Sequence, residues 1–163
     1  MTGRRISHQL FIVVEGVTED AYFKELRDEV RNNKIKIHSP KNLDGVQDPQ
    51  KFIDDAWDYY KKMIKGIRPD SVCQSGKVHK DDELWCVCDL DNKSYGDMLK
   101  MKQLAEQRRF KFVYVIPCFE LWFYLHFIND FGLLCKNLEI NNNKNFTPAE
   151  MFDLLKTVWP GYH

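Results

Sequence analysis

The stretch Leu84-Trp-Cys-Val-Cys-Asp-Leu-Asp91 is a short apolar run closed by two acids one residue apart. Uncharged Leu, Trp, Cys and Val in succession read as a strand buried on both faces. Side chains alternate along a strand, so Asp89 and Asp91 leave it pointing the same way. Earlier in the chain, Leu10-Phe-Ile-Val-Val14 is a second such run and ends in one acid, Glu15, followed by Gly16. In a parallel sheet these three carboxylates arrive at one edge, where their repulsion in a low dielectric is relieved by a cation. Oxygen-only ligands suit Mg²⁺ or Mn²⁺, which keep several waters and take one or two carboxylates together with substrate phosphates. The plainer alternative is that the acids cap neighbouring helices or face water. Glu19, one helical turn beyond Glu15, and Glu120, in the first turn after a later strand, are further candidate ligands. Acids are commonplace in first turns for dipole reasons alone.

Other reactive types carry less. Cys118 stands at an expected helix N-terminus, where a thiolate is favoured, but no base lies next to it in sequence. His126, four residues after Trp122 on an apolar helix, reads as a packed, hydrogen-bonded core histidine. Lys100, Lys102, Arg108 and Arg109 on one helix face, and Lys77, His79 and Lys80 in a long loop, read as solvated charge. They become candidates for steadying a phosphate if they border the acid edge.

The elements that position the acids alternate between strand and helix. Thr18 reads as an N-cap with Glu19 and Asp20 in the first turn. Tyr22, Phe23, Leu26 and Val30 then repeat at helical spacing to about Arg31. Lys34-Ile-Lys-Ile-His38 alternates like a half-exposed edge strand, and residues 40–45 read as loop. Asp48-Pro49 opens a second helix whose buried stripe is Phe52, Ile53, Ala56, Trp57, Tyr60 and Ile64. Residues 66–82 lack periodicity and read as a mobile loop. A third helix from Tyr95 to Arg109 is lined by Met98, Leu99, Met101, Leu104 and Ala105, and Phe112-Val-Tyr-Val-Ile116 is a further strand. Pro117 breaks that strand, and Phe119 to Phe127 is apolar enough to predict a buried helix. Residues 129–145 are irregular and rich in asparagine. Thr147-Pro148-Ala149-Glu150 combines a capping box with Pro at the first helical position and opens a last helix to about Lys156. This alternation predicts a three-layer α/β sandwich with a mostly parallel central sheet and a site at the carboxyl ends of its strands.

Composition sets the limits. A chain of 163 residues fits a single domain, 1–163, that buries about 70% of the surface its unfolded form exposes. Lys plus Arg (24) equals Asp plus Glu (24), so no global basic field advertises a nucleic-acid partner. Five cysteines without a Cys-x-x-Cys pair predict free thiols and no zinc site. The polar start, and apolar runs far below the ~18 residues of a membrane span, predict a cytoplasmic protein with no membrane association.

Three stretches together resemble the RloB-like family. They are Glu15-Gly-Val-Thr-Glu19, Asp89-Leu-Asp91, and Pro117-Cys-Phe-Glu-Leu-Trp122 followed by Leu125-His-Phe127. The resemblance runs from about Gln9 to Phe127. It implies a TOPRIM-type fold, linkage to bacterial defence or restriction-modification genes, and a divalent-metal site used on phosphodiesters. Glu15, Asp89 and Asp91 match the motif positions, and Glu19 and Glu120 match further acids of the pattern. Two departures stand out. Asp91 is followed by Asn-Lys-Ser-Tyr before Gly96, where the TOPRIM pattern has an earlier glycine. Ile116 precedes the Pro-Cys-Phe-Glu stretch, where the family usually has Asn. Relatives run on beyond residue 163, so a C-terminal segment is expected to be missing.

The expectation from this resemblance is a Mg²⁺- or Mn²⁺-dependent nuclease acting on DNA or RNA, with Glu15, Asp89 and Asp91 as catalytic residues. A non-catalytic metal-binding or scaffold module serving a partner protein of a defence system is the alternative. A phosphotransfer receiver is a third class, disfavoured because only Glu15 follows the first strand where those domains carry an acid pair.

Overall fold

The computed structural model describes residues 8–30, 35–38, 41–43, 45–46, 48–67, 76–89, 93–128, 136 and 147–161. Strand β1 (His8–Val14) is followed by α1 (Val17–Glu29), β2 (Ile35–Ile37), β3 (Lys41–Asn42) and α2 (Pro49–Lys65). Next come β4 (Asp82–Asp89), α3 (Tyr95–Gln107), β5 (Lys111–Val115), α4 (Glu120–Phe127) and α5 (Pro148–Val158). The sheet order is β2-β1-β4-β5, with β3 pairing β1 beyond the end of β2. β1 runs parallel to β2, β3 and β4, with Phe11 opposite Leu84 and Val14 opposite Val87.

Chain order therefore reverses between β1 and β4: β1 leads outward to β2, and β4 leads the other way to β5. Right-handed crossovers then place α1 on one face and α2 and α3 on the other, which is the expected three-layer α/β sandwich. Phe11 confirms the α2 face, because its ring packs edge-on against Tyr60 at 5.1 Å and stacks on His38 at 4.3 Å. β1 and β4 are covered on both sides, and Phe11, Ile12, Val13, Val14, Leu84, Cys86, Val87 and Cys88 are all buried.

Local chemistry explains most boundaries. Asp48 caps α2 by accepting from Lys51 N at 2.7 Å, and the six expected stripe residues are all buried. Ser94 and Asp97 form a capping box on α3, and Thr147 and Glu150 form the expected one on α5. The C-terminus of α3 closes with Arg109 N on Glu106 O and Phe110 N on Ala105 O, a Schellman motif with Arg109 at φ 63° where glycine is usual.

Several expectations fail. The N-cap of α1 is Gly16 rather than Thr18 and makes no side-chain cap. Tyr22, Phe23 and Leu26 are only half-buried, Val30 is exposed, and the one fully buried side chain of α1 is Glu19. Residues 41–42 form a short strand within the expected loop, because β2 stops at Ile37 and leaves the second half of β1 to be paired. Leu99 is exposed on α3. Helix α4 is not buried: Trp122, Leu125 and Phe127 face outward and only Tyr124 is fully covered. His126 is exposed too, with its Nδ1 2.7 Å from Trp122 O. Hydropathy alone could not reveal this, since α4 is apolar all round and one packing partner covers one face.

The chain divides into two compact units. One comprises Met1–Cys88 and Lys93–Val113, the other Asp89–Asn92 and Tyr114–His163. In the second, α4 packs on α5 around Cys118, Tyr124, Met151 and Leu155, with Leu121, Phe123, Leu154 and Val158 packed against them. Among the described residues no helix is long and apolar enough to cross a membrane. The three described cysteines, Cys86, Cys88 and Cys118, are buried thiols that form no disulfide; Cys73 and Cys135 lie outside the described residues.

Candidate acid site at the carboxyl ends of the strands

Glu15 follows directly on β1, whose last four residues are buried. Its Oε1 accepts from Lys93 Nζ, and the pair is enclosed: the lysine side chain is 2% exposed and the glutamate side chain 13%. Lysine is almost never buried so completely unless it is paired. The second oxygen, Oε2, is buried and has no hydrogen-bond partner among the described residues. Burying a carboxylate oxygen without a partner costs free energy that a water molecule or a cation would offset, and Asp20 Oδ1 and Arg108 Nη1 are buried in the same way.

Gly16 and Glu19 form the turn that follows. Glu19 is 3% exposed, and its carboxylate folds back over Gly16 so closely that any Cβ there would collide with it. Gly16 lies at φ −108°, a conformation open to every residue, so clearance rather than backbone freedom requires the glycine. Asp20 N donates to Gly16 O at 3.2 Å and closes the turn.

In the second unit, Asp89 ends β4 half-buried and Glu120 opens α4 half-buried. Both bear on Cys118. Burial pushes that thiol's pKa far up, its hydrogen bond with Glu120 adds to the shift, and the Asp89 charge contributes a smaller push. These effects favour the neutral thiol and work against a helix-terminus thiolate at Cys118. Asp91 lies outside the described residues. Among the described residues no group of three His, Cys, Asp or Glu side chains is arranged to hold a metal ion.

The structure thus joins Glu15 to Lys93 and sets Glu19 over Gly16 in one unit, and gathers Asp89 and Glu120 about Cys118 in the other. Lys93 escaped the sequence reading. Its signal was slight: a single cation two residues past Asp91.

Of the basic residues singled out from the sequence, His79, Lys80 and Arg109 do not border this edge. His79, Lys80, Arg109 and Lys111, with His8, line a cleft of about 330 Å³. His8, Asp82 and Lys111 are the first residues of β1, β4 and β5, so the cleft opens at the amino ends of the strands, opposite Glu15. Arg108 instead reaches Asp54 at 2.6 Å and lies over the Trp57 ring, tying α3 to α2.

A parallel sheet layered between helices, with the half-buried acid Glu15 directly after its central strand β1, places the chain in the α/β class. Within that class, the chain belongs to the RloB-like protein family, whose model matches residues 10–151. No curated protein matches it in sequence.

Proposed function

We propose that this protein is a Mg²⁺- or Mn²⁺-dependent nuclease of TOPRIM type, cutting phosphodiester bonds of DNA or RNA in the cytoplasm as part of a bacterial defence system. The observation that carries this reading is the buried Oε2 of Glu15, which has no hydrogen-bond partner among the described residues, at the end of a central parallel strand. Two features support it. Asp89 ends β4, the parallel neighbour of β1, and chain order reverses between those strands, where ligands of open α/β sheets characteristically bind. The donor set is oxygen-only and anionic, which fits a hard divalent cation.

In this reading Glu15, Asp89 and Asp91 hold the ion, and Glu19 and Glu120 are the reserve acids for a second one. A divalent cation bound there supplies neutralisation of phosphoryl charge and acidification of water. The chain's own part is to present carboxylate oxygens already stripped of water, so that little reorganisation is left at the moment of reaction.

Incubation with end-labelled single- and double-stranded DNA and RNA, in Mg²⁺, Mn²⁺ or chelator, tests it. Cleavage should require the cation and fall to background in Glu15→Gln and Asp89→Asn. Cutting by both variants at the wild-type rate would refute the assignment.

One observation favours a second reading, that of a non-catalytic metal-binding module docking a partner protein. Ile116, Trp122, Leu125, Phe127 and Trp159 of the second unit are all exposed, and outward aromatic residues in such number suit an interaction surface. Stabilisation by Mn²⁺ without cleavage of any of the four substrates is its signature.

A further inference from the structure

We infer that Lys93 is a resident counter-cation that competes with the metal for Glu15, keeping the empty site folded and setting its metal affinity low. The inference rests on the metal reading above and assigns a regulator within that site. The Lys93 side chain is enclosed to 2% exposure and spends its charge on one carboxylate oxygen, Oε1, while the buried Oε2 has no hydrogen-bond partner among the described residues. A lysine so placed does two things. Without metal it offsets the desolvated charge of Glu15, which would otherwise stand buried and uncompensated. Were a divalent cation held by Glu15, Lys93 would be a like charge sharing the same carboxylate.

The sign of the net effect follows from magnitudes. Losing Lys93 frees the Glu15 side chain to rotate, which weakens binding by no more than one side chain's rotamer freedom. It also removes a repulsion between a single and a double charge a few ångströms apart in a partly buried setting, and that repulsion is several times larger even at the effective dielectric of protein sites. Lys93 therefore acts against the cation. The chain thereby gains a site that is stable when empty, and a substrate phosphate, being anionic, offsets the same repulsion when it arrives.

The pair is fixed by the turn that follows it. Ser94 caps α3 through Asp97 N at 3.1 Å, and Ser94 N donates to Asp97 Oδ2 at 3.2 Å, so the residue next to Lys93 is locked at the helix start. Lys93 is thus anchored to α3, whereas Glu15 is anchored to β1.

The test compares wild type, Lys93→Met, Glu15→Gln and the double variant by Mn²⁺ binding, followed by electron paramagnetic resonance, and by thermal melting in chelator. Lys93→Met should bind Mn²⁺ at least tenfold more tightly than wild type. In chelator it should melt lower than wild type, and Lys93→Met/Glu15→Gln should melt higher than Lys93→Met because the stranded charge is gone. Should Lys93→Met be unfolded in chelator, Mn²⁺ should restore its circular-dichroism spectrum, and failure to do so would overturn the inference. Wild type that binds Mn²⁺ through Glu15, with Lys93→Met binding equally or more weakly, would overturn the role of Lys93 and leave the metal reading standing. Absence of Mn²⁺ binding in wild type and Lys93→Met alike would overturn both.

Discussion

Gly16 and Glu19 show how one side chain dictates another. The carboxylate of Glu19 occupies the volume that any larger residue at position 16 would need. Gly16→Ala should therefore cost about 1 kcal/mol, the low end for overpacking, because the intruded group is the end of a flexible side chain that is nonetheless enclosed. Chemical denaturation measures it, and Gly16→Ala/Glu19→Asp, with its shorter acid, should recover part of the loss. Equal stability of Gly16→Ala and wild type would show that Glu19 moves freely. The thiols make a second case at this scale. Burial raises the pKa of Cys86 far above the ordinary thiol range, and burial with Glu120 does the same at Cys118. A raised thiol pKa leaves no thiolate near neutral pH, and the thiolate is the reactive form. Both residues should resist a disulfide reagent in the native protein and react on unfolding, as residue-resolved mass spectrometry of the labelled cysteines would record.

At the scale of elements, Tyr60 joins α2 to the approach to β4. Its hydroxyl donates to the buried Asp82 at 3.0 Å and accepts from His79 N at 3.0 Å. Tyr60→Phe keeps the ring contacts with Phe11 and Trp57 but withdraws a donor from a buried carboxylate and an acceptor from a backbone N–H. The expected cost is roughly 1–3 kcal/mol in urea melts, and a cost near zero would mean that water replaces the hydroxyl. The end of α3 offers a prediction of opposite sign. Arg109 occupies the left-handed region, where a side chain meets its own backbone. Arg109→Gly should raise stability by up to about 1 kcal/mol, since the Schellman hydrogen bonds use only backbone atoms. A loss of stability instead would show that the arginine side chain has a structural task in the cleft beside it.

For the whole molecule, the proposed site at the carboxyl ends of the strands implies a balance between folding and ligand binding. In the proposed site, Asp89→Asn removes one of several like charges and with it a repulsion present in the metal-free state. The variant should melt at or above wild type in chelator, and millimolar Mg²⁺ or Mn²⁺ should raise the wild-type melting temperature more than the variant's, because a ligand stabilises only in proportion to its preference for the folded state. If the acids are helix caps, the variant should instead lose about 1 kcal/mol and neither curve should respond to metal. Differential scanning calorimetry with and without chelator distinguishes the two.

Local chemistry was legible in the sequence wherever it is written in consecutive residues. The stripe of α2, the Asp48-Pro49 start, the capping box at Thr147 and the buried runs of β1 and β4 all follow from spacing, and with them the parallel α/β plan and the delivery of Glu15 and Asp89 to strand ends. Spacing says nothing about partners remote in sequence. The union of Lys93 with Glu15 spans 78 positions, and the burial of Glu19 depends on a glycine that reads as an ordinary turn residue. The outward aromatics of α4 misled for the converse reason: an apolar helix states its preference for burial, and only the packing of α5 on one side decides which residues obtain it. Tertiary structure likewise decided where the cations lie, because a parallel strand carries its first and last residues to opposite edges of the sheet, setting Lys80 and Arg109 at one and Glu15 at the other.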